Sequence, residues 1–424
     1  QNTQHHAPPI MRAQYIVSSI FVRLSSLPPP NTVQSFNNQR LASVSLAVSA
    51  MSTSSSAPTP AKQNVRVVSY NLLSSKLARP SHFTHAKPEH LEYENRLPLI
   101  LAKLDAAMNR GVDGSEEVPP SPPPTIFSLQ EVCYPFASAL HTFFAQRGYH
   151  FVTGLYGRPF NGYMGVGIAY PLKDFDTVNV DICRLSDERA GGWPREEIDG
   201  DESSSDAKSP GIIQKITGRM QVLAAATIQT VINSRITKRL GFGSSGERVI
   251  DPWKMSENRF NVLLTVALRY RTGEASTFSI SNYHMPCAFY APAVMNIHCE
   301  MVAKRIQYLA AASHKSLESS HCAGASIPYI FAGDFNIMPD SPHYKLLTTG
   351  KLDTSDPTYP PRKHGVEWKI ESLPMDSAYA LGDAAGAEPE FTNYAHCKDD
   401  PEPFIGCLDY IFLSQKDQTS SAGE

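Results

Sequence analysis

The chain has 424 residues, 42% of them hydrophobic and 19% charged, which supplies a substantial core, as one large α/β unit or two to three smaller ones, and excludes disorder throughout. Lys and Arg total 38 against 41 Asp and Glu, a net charge of −3, so no overall positive field holds nucleic acid and any polyanion recognition must be local. Seven cysteines with no C-x-x-C pair argue against a disulfide framework and a thiolate zinc site, and no apolar run approaches the roughly 18 residues of a membrane-spanning helix.

In chain order, residues 1–63 are expected to be a disordered leader. The first acidic residue is Glu89, and Arg12, Arg23 and Arg40 punctuate a Ser/Pro/Gln-rich stretch after Met11. That is the composition of a transit peptide, and it implies a mitochondrion or plastid if translation starts at Met11. A start at Met51 instead leaves a short tail before a cytoplasmic or nuclear domain. Order is expected from 64 to 414. Val65 to Tyr70 has the β-branched density of a strand, and Leu97, Leu101, Leu104 and Met108 form one helical stripe that the prolines from Pro119 to Pro124 end. Thr125 to Leu129 reads as a buried strand, and Phe136, Leu140, Phe143 and Phe144 mark a helix closed by Gly148. Further strands are expected at Gly165 to Tyr170, Val262 to Tyr270, Phe278 to Asn282, Tyr329 to Ala332 and Leu408 to Leu413, with a helix from about Met295 to Ala311. An irregular insertion spans about 186 to 256, and 415 to 424 reads as an unstructured tail. Several neighbouring strands have no helix between them, so the sheets should be mixed.

Polar residues recur where these strands end: Ser69-Tyr70-Asn71, Leu129-Gln130-Glu131, Asn282-Tyr283-His284, Gly333-Asp334-Phe335-Asn336 and Leu408-Asp409-Tyr410. Each has an ordinary reading. Asn71 suits a turn, Glu131 a helix cap, His284 a satisfied loop position, Asp334 with Asn336 an Asx-turn, and Asp409 the polar face of an edge strand. Five together point to a site, because carboxylates at buried strand ends must be paired, hydrogen-bonded or metal-bound. A hard cation such as Mg²⁺ takes one or two carboxylates, a role that fits Glu131. Asn71, Asn336 and His284 would offset charge on a pentacovalent phosphate, and Asp334 suits a base on water.

In this order the motifs resemble the endonuclease/exonuclease/phosphatase superfamily, and more narrowly its deadenylase, nocturnin and 2′,5′-phosphodiesterase branch. The likeness runs over roughly Val65 to Ser414. It rests also on Ser128 to Val132, Ala332 to Asn336 with Pro339 and Ser341, Asp376-Ser377-Ala378-Tyr379, Phe391-Thr392-Asn393-Tyr394 and Leu408 to Phe412. The resemblance implies a four-layer sandwich, two mixed β-sheets face to face between helices, and a Mg²⁺-dependent phosphodiesterase, Mn²⁺ being the alternative ion, acting on RNA or a related nucleotide phosphodiester in the manner of a 3′-exoribonuclease. It further implies Glu131 and Asn71 as metal ligands, with His284, Asp334, Asn336 and Asp409 as catalytic residues. Asn282, Phe289, Pro292 and Asn393 are expected on the substrate, with Phe289, Tyr290 and Pro292 as either a stacking platform or a hydrophobic lid. Arg158, Lys254 and Arg259 are candidate phosphate contacts.

Family members close with a Ser-Asp-His motif on a last strand, and the ten residues after Ser414 hold no histidine, so that strand is expected to be missing. Two other readings stay open: the same fold acting on inositol-phosphate or sphingolipid-type phosphoesters, and a truncated, catalytically impaired binding module.

Overall fold

Side-chain alternation along Gln63–Asn71 sets the layering. Val65 and Val67 point to one face, Val68 and Tyr70 to the other, and all four are buried, as a strand covered on both sides requires. The computed structural model of the chain describes residues 18–24, 63–109, 123–196, 250–272, 276–317, 326–398 and 400–415. Its strands are β1 (Ser18–Leu24), β2 (Gln63–Asn71), β3 (Thr125–Val132), β4 (Tyr149–Leu155), β5 (Gly165–Pro171), β6 (Phe175–Arg184), β7 (Val262–Tyr270), β8 (Thr277–His284), β9 (Tyr329–Asp334), β10 (Met375–Ser377), β11 (Asn393–Ala395), β12 (Phe404–Gly406) and β13 (Asp409–Ser414). The α-helices are α1 (Tyr93–Asn109), α2 (Tyr134–Ala145), α3 (Pro252–Glu257), α4 (Pro292–Leu317), α5 (Pro342–Thr349) and α6 (Ala378–Gly382).

Two mixed sheets result, ordered β1-β2-β3-β5-β4 and β10-β13-β9-β8-β7-β6, with β11 and β12 as a separate ribbon. Among the described residues only β2 with β3 and β8 with β9 run parallel, and every other strand pair is antiparallel. Val65, Val67, Ile126, Val166 and Ile168 of the first sheet meet Leu264, Val266, Phe278, Ile280, Ile330 and Ile411 of the second. The outer face of the first sheet buries Phe127 and Leu129 under α1 and α2, and that of the second buries Leu263, Phe331 and Phe412 under α4 and α5. This is the expected four-layer sandwich, each element turning its apolar face inward.

Several expectations shift. The buried side of α1 carries Arg96, Ile100, Leu104 and Ala107, while Leu97, Leu101 and Met108 pack only partly, so the stripe is rotated toward Ile100. Arg96 lies on that face because its guanidinium donates to the carbonyls of Leu72 and Leu73, which closes the turn after β2. Ser18–Leu24, placed by composition in the leader, pairs antiparallel with β2. The remaining leader residues, 197–249 of the insertion and the tail 416–424 lie outside the described residues. Among the described residues no helix is long and apolar enough to cross a membrane.

Candidate active site

The polar residues converge because of strand direction. Parallel neighbours end at the same edge of a sheet, so Asn71 on β2 arrives beside Glu131 on β3, and His284 on β8 beside Asp334 on β9. β13 runs antiparallel to β9, so it is its first residue, Asp409, that stands in register with Asp334.

One amide joins the two sheets at this edge. Asn71 Nδ2 donates to Glu131 Oε1 at 3.1 Å and to Asp334 Oδ2 at 2.9 Å. Asn71 Oδ1 accepts the Leu73 amide at 2.8 Å and Glu131 Oε2 the Ser74 amide at 2.8 Å, so the turn after β2 is clamped onto both side chains. Glu131 lies in a bulge of β3, the register with β5 slipping between Gln130 and Val132, and its φ is 55°. A left-handed residue in a strand costs on the order of 1–3 kcal/mol, and here it turns the carboxylate out of the ladder toward the cleft. Asn336, with φ 52°, repeats the device after β9: its amide N–H donates to Asp334 Oδ1 at 3.0 Å and its Nδ2 to the Met285 carbonyl at 3.1 Å.

His284 is buried with Nε2 3.8 Å from Asp334 Oδ2, and Nδ1 makes no hydrogen bond. Its carbonyl accepts Asn261 Nδ2 at 2.8 Å, which fixes the end of β8. Thr392 supports Asp409, donating its hydroxyl to Oδ2 at 2.8 Å and accepting the amides of Leu408 and Asp409 at 2.9 and 3.0 Å.

Glu131, Asp334 and Asp409 thus share one edge, and none of them takes a Lys or Arg salt bridge among the described residues. Burial, and then the charge of Asp334, push the Asp409 carboxyl well above the usual carboxylate range, against the opposing hydrogen bond from Thr392. Burial, then Asp334, push the nearby Cys287 thiol up to about 12, Arg259 opposing, so it stays a neutral thiol. Among the described residues no group of three or more His, Cys, Asp or Glu side chains is set to share one metal ion.

Six expected residues therefore meet: Asn71, Glu131, His284, Asp334, Asn336 and Asp409. Asn282 does not join them, a correction with a clear cause. It is fully buried between the sheets, its Nδ2 donating to the carbonyls of Leu129 and Gly167 at 2.9 Å each and its Oδ1 accepting Gln130 Nε2 at 2.8 Å, so no polar group is left for a substrate. Phe289 is 48% exposed, Pro292 opens α4 with its carbonyl on His343 Nε2, and Asn393 pairs with Gly406 on β11; none of the three bonds to the six. Arg158 stacks over the Phe260 ring at 5.4 Å, Lys254 is exposed on α3, and Arg259 is buried with Nη2 on the Tyr290 hydroxyl at 3.4 Å. Sequence reasoning missed Ser74, Tyr156, Asn261 and Thr392 as site residues. Thr392 lies inside a motif already singled out, whereas the other three are tied in only through the folded turns.

No protein-family profile matches the chain. Among curated proteins it is 36% identical over 87 residues to mouse 2′,5′-phosphodiesterase 12, covering 20% of this chain and 13% of the relative. It is 36% identical over 112 residues to Arabidopsis thaliana carbon catabolite repressor protein 4 homolog 1, covering 22% and 18%. It is 23% identical over 387 residues to the Aspergillus niger CCR4-Not complex 3′-5′-exoribonuclease subunit Ccr4, covering 85% of this chain and 46% of the relative. The chain thus spans less than half the length of these relatives. Among solved structures, ANGEL2, a 2′,3′-cyclic phosphatase, matches with a TM-score of 0.49 at 16% identity over 82% of this chain and 83% of that one. The human nocturnin catalytic domain matches with a TM-score of 0.44 at 16% identity, over 82% and 81%.

Motif order and two facing mixed sheets resemble the endonuclease/exonuclease/phosphatase superfamily, and the sequence matches are to nucleases and phosphodiesterases. Its sequence similarity runs to the 3′-5′-exoribonuclease and 2′,5′-phosphodiesterase relatives.

Proposed function

We propose that the chain is a Mg²⁺-dependent phosphodiesterase that hydrolyses RNA or a related nucleotide phosphodiester by attack of water, in the manner of a 3′-exoribonuclease. The observation that carries this reading is the Asn71 amide bridging Glu131 and Asp334 across two sheets. Acids gathered at one edge with no Lys or Arg salt bridge among the described residues call for a cation. The donor set suits a hard ion: Mg²⁺ takes one or two carboxylates and completes its shell with water and substrate phosphate, so the lack of a three-ligand cage is compatible with it. Glu131, with Asn71 beside it, would hold the ion, and Mn²⁺ would suit the same oxygens. When bound, the ion would offset negative charge on the phosphoryl group and polarise its oxygens.

The remaining work falls to the chain's own side chains. Asp334 is oriented through Oδ1 by the Asn336 amide and takes a proton from the attacking water through Oδ2. Hydroxide adds to phosphorus, the bond to the leaving oxygen breaks, and that oxygen gains a proton. Asp409, its carboxyl raised above the usual range by burial and by the charge of Asp334, stands in register with Asp334 and supplies the proton to the leaving oxygen. His284, with a free buried ring nitrogen, faces the phosphate.

The test is cleavage of end-labelled oligo(A) with Mg²⁺ by the wild-type chain and by Glu131→Ala and Asp334→Ala, with inositol phosphates and sphingomyelin as competing substrates. Products from the oligonucleotide that disappear in both variants support the reading. Equal rates in all three proteins, or hydrolysis only of the other phosphoesters, refute it.

A further inference from the structure

A phosphodiester brought to this edge meets three carboxyl groups, so its non-bridging oxygens need neutral donors, and few are unspent. Both hydrogens of the Asn71 amide are taken by Glu131 and Asp334, and one hydrogen of the Asn336 amide by Met285. Tyr156 offers another. It follows β4 and opens the turn to β5, where its own N–H and that of Gly157 reach the Met164 carbonyl at 3.2 and 2.8 Å. Only glycine fits at 157, since a Cβ there would lie 2.3 Å from Asn161 Oδ1, the atom that accepts the Arg158 amide at 2.7 Å. The Asn161 carbonyl in turn accepts Ser74 Oγ at 2.7 Å, and Ser74 is the residue whose amide holds Glu131. The turn carrying Tyr156 is therefore fastened to the same clamp as Glu131.

The Tyr156 hydroxyl accepts Asn261 Nδ2 at 3.4 Å, and the same amide donates to the His284 carbonyl. Its ring rests 5.8 Å from that of Phe260. No described group accepts its proton. Burial, then the charge of Glu131 and, more weakly, that of Asp334, raise its pKa against the Asn261 hydrogen bond, so the group stays an O–H donor beside the acids.

We propose that the Tyr156 hydroxyl donates a hydrogen bond to a non-bridging oxygen of the scissile phosphate, sharing that load with His284. This rests on the phosphodiesterase reading and names a substrate contact that neither the motifs nor the sequence matches assign. No covalent step is involved; the donor stabilises the charge that builds up on the pentacovalent species.

The test is single-turnover cleavage of oligo(A) by wild type and Tyr156→Phe, repeated with each phosphorothioate diastereomer at the scissile linkage, with thermal unfolding of both proteins as the structural control. The ring is kept, so the unfolding midpoint should stay within about 2 °C, while cleavage slows about 100-fold, the usual consequence of removing one such donor. Sulfur accepts hydrogen bonds poorly, so the diastereomer whose effect on the wild type Mn²⁺ does not relieve should slow Tyr156→Phe far less. Cleavage within about threefold of wild type, or an undiminished sulfur effect, overturns the Tyr156 assignment and leaves the proposed function standing. Should the wild type itself prove inert and indistinguishable from Glu131→Ala, both fall together.

Discussion

Asn282→Leu removes a tie between the sheets while keeping roughly the same volume. The amide makes three hydrogen bonds, to Leu129, Gly167 and Gln130, all fully buried. At a net value near 1 kcal/mol each the loss comes to about 3 kcal/mol. Gln130 keeps its contacts to Ser69 and Ser128, which holds the total near that figure instead of well above it. Asn282→Asp should be worse, because a buried carboxylate would face two carbonyl oxygens with no proton between them. Urea unfolding followed by circular dichroism gives both values. A loss below about 1 kcal/mol for Leu, or an Asp variant no worse than Leu, would refute the assigned direction of the amide. The consequence reaches the site: Glu131 hangs on the first sheet and Asp334 on the second, so a loosened tie should lower turnover while leaving the acids in place.

Asp409 has its pKa raised by folding, so its protonated form is favoured in the native state, and stability falls as pH climbs from about 4 through the raised value. Asp409→Asn should therefore melt higher than wild type near pH 7 in the presence of EDTA, with the advantage shrinking toward pH 4; an advantage independent of pH counts against the assignment. Glu300 is buried in α4 and accepts the amides of Glu371 and Ser372 and the Ser372 hydroxyl, at 2.7, 3.0 and 2.5 Å. Its replacement by Ala should cost roughly 2–4 kcal/mol in the same urea assay, and a change within about 0.5 kcal/mol would show that these bonds are dispensable. EDTA should abolish oligonucleotide hydrolysis and Mg²⁺ or Mn²⁺ should restore it; turnover that survives exhaustive chelation speaks against the cation.

What the sequence made legible is what short-range pattern encodes. Val262–Tyr270 is legible to the residue because all of it but Thr265 and Arg269 is apolar, and Arg269 is its one exposed position. β6 escaped notice for the opposite reason: Phe175–Arg184 is an edge strand whose residues are mostly solvated, so Asp176, Asn179 and Asp181 disguise it as loop. α5 does have readable ends, with Ser341 capping the Tyr344 amide and Gly350 in the left-handed conformation behind it. Only His343, Leu346 and Leu347 are buried along it, however, too few to draw a stripe. Asn282 shows the limit for the site. An amide near a strand end reads alike as turn, ligand or tie, and the choice is made by the Leu129 and Gly167 carbonyls, which lie over a hundred positions away in sequence.

The same side chains that are proposed to do chemistry also hold their own backbone. Asn71 accepts from Leu73, which has φ 51°; Glu131, itself at φ 55°, accepts from Ser74; and Asp334 accepts from Asn336 at φ 52°. Three left-handed residues at one edge are a local cost that these hydrogen bonds help offset. Removal of a carboxylate by Ala therefore loosens a turn as well as deleting a charge, and lost turnover alone does not separate the two effects. Glu131→Gln keeps the clamp on the turn, because the Gln carbonyl can still accept from Ser74, while the charge and the Oε1 acceptor for Asn71 Nδ2 are gone. If Glu131→Gln unfolds like wild type yet is as inactive as Glu131→Ala, the carboxylate with its Asn71 contact carries the function; if it regains most of the activity, the clamp on the turn after β2 was what Ala had broken.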